Sequence, residues 1–231
     1  MSNQFLKLMV LLATCWLLVF NFASAQTLPQ FLVSWQAQNY APSWYQGKLL
    51  PINGTPVEIK FELIESGKLA DLSKIKVRWY VNDGLVKNEE NGLGIKSLKF
   101  NIPDYGGNET EVRISLPEYK NYPPLDYIMR IPVKNPEVVI NNRYPKSEIN
   151  KKNISFEALP FFFNINSLNN LSFNWSAAGQ ESENYTENPW LFKLNVDSQA
   201  PSGFIVSLRV SVQNLLNQME FASKDLRLVI K

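Results

Sequence analysis

The sequence predicts an all-β chain of two tandem antiparallel β-sandwiches preceded by a signal helix. Three observations predict it. Apolar and polar residues alternate with a period of two through most of the chain beyond residue 26. Turn signals rich in Asn, Asp and Gly separate the alternating runs. Four of those runs return in the same order roughly 95 residues later.

Residues 1–25 read as a signal peptide. Lys7 supplies the positive start, Leu8 to Phe22 is almost wholly apolar, and Ala23-Ser24-Ala25 forms a small-x-small cleavage site before Gln26. The apolar run is about 15 residues, short of the roughly 20 that a spanning helix needs. Cleavage is therefore favoured over retention, and contact with a membrane is expected only through this segment if it stays uncleaved. Leu12-Ala13-Thr14-Cys15 has the outline of a lipobox. Thr14 is a poor residue before the cysteine, and the apolar run continues from Trp16 to Phe20. Cleavage also removes Cys15, the chain's one cysteine. The exported remainder then has no disulfide and depends on hydrophobic burial. No later segment reads as a membrane span or sorting tail. The expected destination is the extracellular space, the cell surface or a periplasm-like compartment.

The strands follow in order. Phe31-Leu-Val33 leads to Trp35. Strict alternation marks Val57-Glu-Ile59-Lys-Phe61-Glu-Leu63, Ile75-Lys-Val77-Arg-Trp79, Val112-Arg-Ile114-Ser-Leu116 and Leu226-Arg-Leu228. Such runs have one buried and one wet face, and β-branched and aromatic residues fill the buried slots. Asn53-Gly54, Ser66-Gly67, Asn82-Asp-Gly84, Asn91-Gly92, Gly106-Gly107 and Ser202-Gly203 are the turns. Asn214 to Ala222 is an exception, where Leu215, Leu216 and Met219 suit either a short helix or a long loop.

Self-similarity organises these strands into two units. Ile59-Lys-Phe61-Glu matches Ile154-Ser-Phe156-Glu at an offset of 95. Ile75 to Trp79 matches Leu171-Ser-Phe173-Asn-Trp175 at 96. Lys99-Phe100-Asn101-Ile102 matches Lys193-Leu194-Asn195-Val196 at 94, and Val112 to Leu116 matches Val206 to Val210 at 94. Trp79 and Trp175 are the core markers of the repeat. Sandwich one is expected over residues 27–134 and sandwich two over 135–231, with Pro132 and Pro136 bracketing a short link.

A unit of this size with a tryptophan closing a central strand resembles the immunoglobulin-like (Ig-like) fold. The run Trp79-Tyr-Val-Asn-Asp-Gly84, a glycine-bearing loop, the Phe100 strand, a Pro-Asp-Tyr-Gly-Gly turn and the Val112 strand resemble the polycystic-kidney-disease (PKD) domain pattern. Trp175-Ser-Ala-Ala-Gly179 keeps the tryptophan and a glycine but lacks the aspartate, and both units lack the immunoglobulin cysteines. The chain is similar to exported tandem Ig-like/PKD-like surface proteins of small-genome bacteria. That resemblance implies an extracytoplasmic, non-catalytic role at the cell surface.

The residue inventory narrows the chemistry. Lys+Arg 23 against Asp+Glu 21 gives a net charge of +2, which argues against a nucleic-acid partner held by a basic surface. With no histidine in 231 residues, no His-based triad, His metal site or imidazole switch can form. Ser73-Lys74 and Ser223-Lys224 are adjacent, not spaced for Ser–Lys catalysis. Glu89-Glu90, Glu181 and Glu183 lie in polar loop-like stretches, as solvated charges. No catalytic residue, cofactor or metal is assigned. Ca²⁺ is the more plausible metal, since oxygen ligands suffice, at Asn82, Asp83 and Asp104, but their spacing matches no calcium loop and turns need such residues anyway.

Trp35, Trp44, Tyr45, Tyr122, Tyr127 and Trp190 exceed what two core tryptophans require. Trp44 and Tyr45, bracketed by Pro42 and Gly47, are the candidate ligand-binding aromatics, able to stack on a sugar or anchor a protein. Asn-x-Ser/Thr triplets begin at Asn53, Asn108, Asn153, Asn170, Asn174 and Asn184. They are read as chance in an Asn-rich chain, the one at Asn174 because its neighbour Trp175 belongs to the core. The expected function is an exported, non-catalytic protein that binds a protein, adheres or builds structure at the cell envelope. A carbohydrate-binding module is the alternative and an enzyme the remote one.

Overall fold

The computed structural model describes residues 28–150, 153–181, 187–197 and 199–231. The signal segment, with Cys15, lies outside the described residues, as do Glu183 and Asn184.

Most of the alternating runs form strands as expected. In chain order these are β1 (Gln30–Ala37), β2 (Pro56–Glu65), β3 (Lys68–Leu69), β4 (Arg78–Val81), β5 (Gly84–Lys87), β6 (Ser97–Asn101), β7 (Glu109–Leu116) and β8 (Leu125–Pro132). They make two sheets. One has the order β1-β2-β3 with β6 also paired to β2, and the other runs β5-β4-β7-β8. Then come β9 (Glu137–Asn141), β10 (Glu148–Ile149), β11 (Asn153–Phe161), β12 (Leu171–Ala177), β13 (Gln180–Glu181), β14 (Leu191–Asn195), β15 (Ile205–Asn214) and β16 (Phe221–Ile230). They repeat the plan as a β14-β11-β9 sheet and a β10-β16-β15-β12-β13 sheet. β10, which pairs with β16 in parallel, is an addition to the second copy.

This strand order, in which the chain leaves the first sheet for the second, returns for one strand and leaves again, is that of Ig-like β-sandwiches. The expected all-β sandwich class is what the chain adopts. Ring contacts between the sheets show the face-to-face packing. Phe61 of β2 meets Trp79 of β4 edge-on, with centroids 5.6 Å apart. Trp175 of β12 stacks on Phe192 of β14 at 5.1 Å. Both indoles are buried, and a ring of that size contributes on the order of 2–3 kcal/mol by leaving water.

The pairing corrects two of the four repeat offsets. Trp79 faces Ile114, and Trp175 faces Val210, so β7 and β15 correspond at 96 and not 94. Phe61 N–H donates to the Lys96 carbonyl, and Ala158 N–H donates to the Trp190 carbonyl. Hence β2 and β11 correspond at 97 and not 95. The offsets of 96 for the tryptophan strands and 94 for β6 and β14 agree with the pairing. Both errors are slips of two residues. Such a slip keeps every side chain on its own face, so alternation alone cannot detect it.

Other expectations change in detail. Ile75 to Val77 lies outside strand, and only Arg78 and Trp79 of that alternating run pair in the sheet, as the start of β4. Residues 215–220, between a short helix and a loop by sequence, are the loop joining β15 to β16. Short 3₁₀ turns at Glu89–Asn91, Pro145–Ser147 and Leu168–Asn170 had no signal in the alternation. The β4–β5 and β12–β13 hairpins use the same two-residue turn. Asn82 and Asp83 have φ of 45° and 63°, and Ala178 and Gly179 have 52° and 80°. Both central residues of each turn are left-handed, the primed turn that matches strand twist. The second copy therefore keeps the turn although it lacks the Asn-Asp sequence.

Candidate functional site

Trp44 and Tyr45 sit on the loop after β1. The Tyr45 N–H closes a turn on the Pro42 carbonyl, and the Tyr45 hydroxyl donates to the Lys48 carbonyl at 3.3 Å. A Cβ at Gly47 would stand 2.3 Å from the Tyr45 hydroxyl oxygen. Glycine therefore leaves room for the tyrosine ring to lie across it.

The sequence did not announce the residue beneath this pair. Phe161, at the end of β11, meets Tyr45 edge-on at 5.5 Å and Trp44 at 6.1 Å, and Phe162 meets Tyr45 at 6.3 Å. Edge-to-face contacts of this kind add about 0.5–1.5 kcal/mol each beyond burial. Tyr45 is half-buried, while Trp44 keeps 60% of its surface exposed. The available signal was the run Phe161-Phe162-Phe163, which breaks the two-residue period. Phe162 has φ of 66°, and it and Phe163 are buried in succession.

Backbone hydrogen bonds tie the two segments. Tyr40 N–H donates to the Phe163 carbonyl, and Phe162 N–H donates to the Tyr40 carbonyl. Asn39 Nδ2 donates to the carbonyls of Leu50 and Phe162. Burial, and secondarily the Glu157 carboxylate, push the Tyr40 phenol above its ordinary range.

A polar cluster adjoins this contact. Thr55 Oγ1 donates to Asn164 Oδ1 at 2.6 Å, and Asn164 Nδ2 donates to the Asn53 carbonyl and to Glu220 Oε1, each at 3.0 Å. Glu220 is 5% exposed. Its carboxylate also accepts from the Asn164 backbone N–H, Asn214 Nδ2 and Asn217 Nδ2. A buried carboxylate is stable where N–H groups replace its water. No short-range pattern marks this cluster in the sequence, because its members come from separate segments.

Trp79 Nε1 donates to the Ile95 carbonyl and Trp175 Nε1 to the Pro189 carbonyl, so both serve the core. Lys48 Nζ lies 3.5 Å from the Trp35 ring centre, Tyr122 stacks on Tyr119, and Trp190 meets Phe173 edge-on. Tyr127 faces Ile114 across β7 and β8.

Asp104 Oδ2 accepts from Asn82 Nδ2 at 2.8 Å and Thr110 Oγ1 at 2.6 Å, and Asn82 Oδ1 accepts from Glu111 N–H. Asn82 and Asp104 thus hold a turn together, with Asp83 at its exposed tip. Among the described residues, no three acidic or sulfur ligands gather for a metal.

Glu89 departs from the solvated-charge reading. It forms a two-pronged ion pair with Arg78, which holds the Glu89 carboxyl down at about 2. Glu90 and Glu181 are exposed. Burial of Trp175 does not bury the Asn174 triplet, because adjacent strand residues point to opposite faces. Asn174 is exposed while Trp175 is buried.

Fold and site together define a class: an Ig-like β-sandwich chain carrying an exposed, ring-supported tryptophan. No family model and no curated relative matches the chain. Among solved structures it is similar to the three N-terminal domains of the bacteriophage RB49 Highly Immunogenic Outer Capsid protein, at 12% identity and a TM-score of 0.43. That match covers 87% of this chain and 59% of the other. It is also similar to the ICAM-5 D1-D4 ectodomain fragment, at 8% identity and a TM-score of 0.29, covering 86% and 53%. A third is the Bacteroides ovatus mixed-linkage glucan utilization locus SGBP-B in complex with a mixed-linkage heptasaccharide. It stands at 11% identity and a TM-score of 0.26, covering 86% and 47%. The chain spans about half to three-fifths of the length of these structures. Among the described residues, no helix is long and apolar enough to cross a membrane.

Proposed function

We propose that the chain is an exported, non-catalytic binding protein of the cell envelope or extracellular space, with two Ig-like units divided near Lys134-Asn135. The first, with its Asn82-Asp83 turn, is PKD-like. We take Trp44 as its contact residue for a protein partner. One observation carries this reading: Trp44 is largely exposed yet braced edge-on by Phe161. A large ring already held in place gives up little freedom on binding, and such rings dominate binding energy where they are covered. Residues 1–25 support export. The lack of histidine, with Cys15 confined to the signal segment, supports a non-catalytic role.

A glycan partner is the second reading. Ser43, Gln46 and Lys48 on the same loop are exposed and carry groups able to bond sugar hydroxyls. Crosslinking pull-down from intact envelopes, set beside a glycan array, tests both. Trp44→Ala should lose the captured partner, or the array signal, at least tenfold with an unchanged melting temperature. Undiminished capture by Trp44→Ala would overturn the site.

A further inference from the structure

We propose that the free edge of β8 pairs with β8 of a second copy of this chain, antiparallel and centred on Ile128. β8 ends the β5-β4-β7-β8 sheet, and among the described residues its only strand partner is β7. Val133 N–H donates to Asn108 beside β7. Backbone direction alternates along a strand, so Asp126, Ile128 and Arg130 turn their N–H and C=O groups to the open side. Pro132, which has no N–H, falls on that side too, where it leaves no unmet donor.

The side chains at these positions complement themselves. A two-fold axis through Ile128 sets each Ile128 against its copy and each Asp126 against Arg130 of the other chain, both hydrogen-bonded pairs. Pro124 and Pro132 then end the pairing symmetrically, four residues on either side of the axis. Asp126, Ile128 and Arg130 are all exposed on one face. The register also joins two rows of side chains. Leu85, Tyr80, Arg113 and Ile128 lie side by side across the sheet, with Arg113 stacked over Tyr80 at 4.0 Å. Leu85 and Ile128 are 52% and 53% exposed. Pairing makes this row continuous through both copies.

Charge on an edge ordinarily keeps other strands away. Here the charges exclude strands lacking the pattern and neutralise each other in a matched copy. Arg130 already reaches Glu111 Oε2 at 3.2 Å, which holds its guanidinium on this face. The corresponding edge of β16 does not offer the same. Both edges are capped at one end, where Lys134 N–H donates to the Pro51 carbonyl just beyond β8 and β10 pairs with Val229 and Ile230 of β16, but an axis through the equivalent Asp225 would set two carboxylates together.

Sedimentation of the full chain over a concentration series tests this. The wild type should reach twice its 26.5 kDa. Asp126→Arg and Arg130→Asp should each weaken the dimer at least tenfold, since like charges then oppose. An equimolar mixture of the two variants should restore it, because both arginines of the first variant then face aspartates of the second. In a Cys15→Ser background, Ile128→Cys should form a disulfide-linked dimer on mild oxidation, and Leu85→Cys should not. A wild type that stays monomeric throughout, or a mixture no more dimeric than its components, would overturn the proposal. The restored mixture and the disulfide separate lost pairing from lost folding.

Discussion

Trp79 and Trp175 hold equivalent places in the two copies of the strand plan, down to the hydrogen bond each indole makes. Trp79 Nε1 donates to the Ile95 carbonyl at 2.9 Å, two residues before β6. Trp175 Nε1 donates to the Pro189 carbonyl at 3.1 Å, two residues before β14. The partner rings differ. Phe61 comes from β2, whereas Phe192 comes from β14. The copies therefore share the polar anchor and repack the rest.

Removing either anchor should cost similar amounts. Trp79→Phe and Trp175→Phe each take the indole donor from a half-buried carbonyl and should destabilise by about 1–2 kcal/mol. The Ala substitutions should cost about 3–5 kcal/mol. Urea denaturation followed by circular dichroism measures both. A negligible effect at one site alone would show the equivalence to be geometric only.

The Arg78–Glu89 pair makes stability depend on acid. Glu89 titrates at about 2 in the fold against an ordinary 4.5, through its hydrogen bond with Arg78. The unfolded chain binds more protons between those values, so the stabilisation is whole above about pH 4.5 and is lost as pH falls toward 2. Glu89→Gln should melt below the wild type at about pH 6, with the gap closing by about pH 2. Both groups are partly solvated, so the gap should be small and shrink in salt. A gap independent of pH would assign the loss to packing.

Glu220 should be costly to remove. Glu220→Ala takes the acceptor from the buried Asn214 amide and the half-buried Asn164 amide and should destabilise by about 1–3 kcal/mol. Hydrogen exchange should show faster exchange around Asn164. Unchanged exchange and stability would mean that water replaces the carboxylate freely.

The second hairpin turn can be improved. Ala178 bears φ of 52°, a left-handed conformation that Asn tolerates better. Ala178→Asn, which copies Asn82 of the first turn, should stabilise by about 0.5–1 kcal/mol. Thermal melting measures it, and a lower melting temperature would count against a strained turn.

Local chemistry made much of the fold readable. Period-two alternation identified β2, β7 and β16 because each has one buried face, and paired left-handed residues at Asn82 and Asp83 made a hairpin. A buried indole per repeat picked out β4 and β12. Register was not readable to better than two residues, since a two-residue slip leaves burial unchanged. Trp44 and Tyr45 could be singled out from Pro42 and Gly47. Phe161 beneath them, the convergence on Glu220 and the open edge of β8 depend on segments far apart in the chain. Only long-range strand pairing brings those residues together or leaves them without a neighbour.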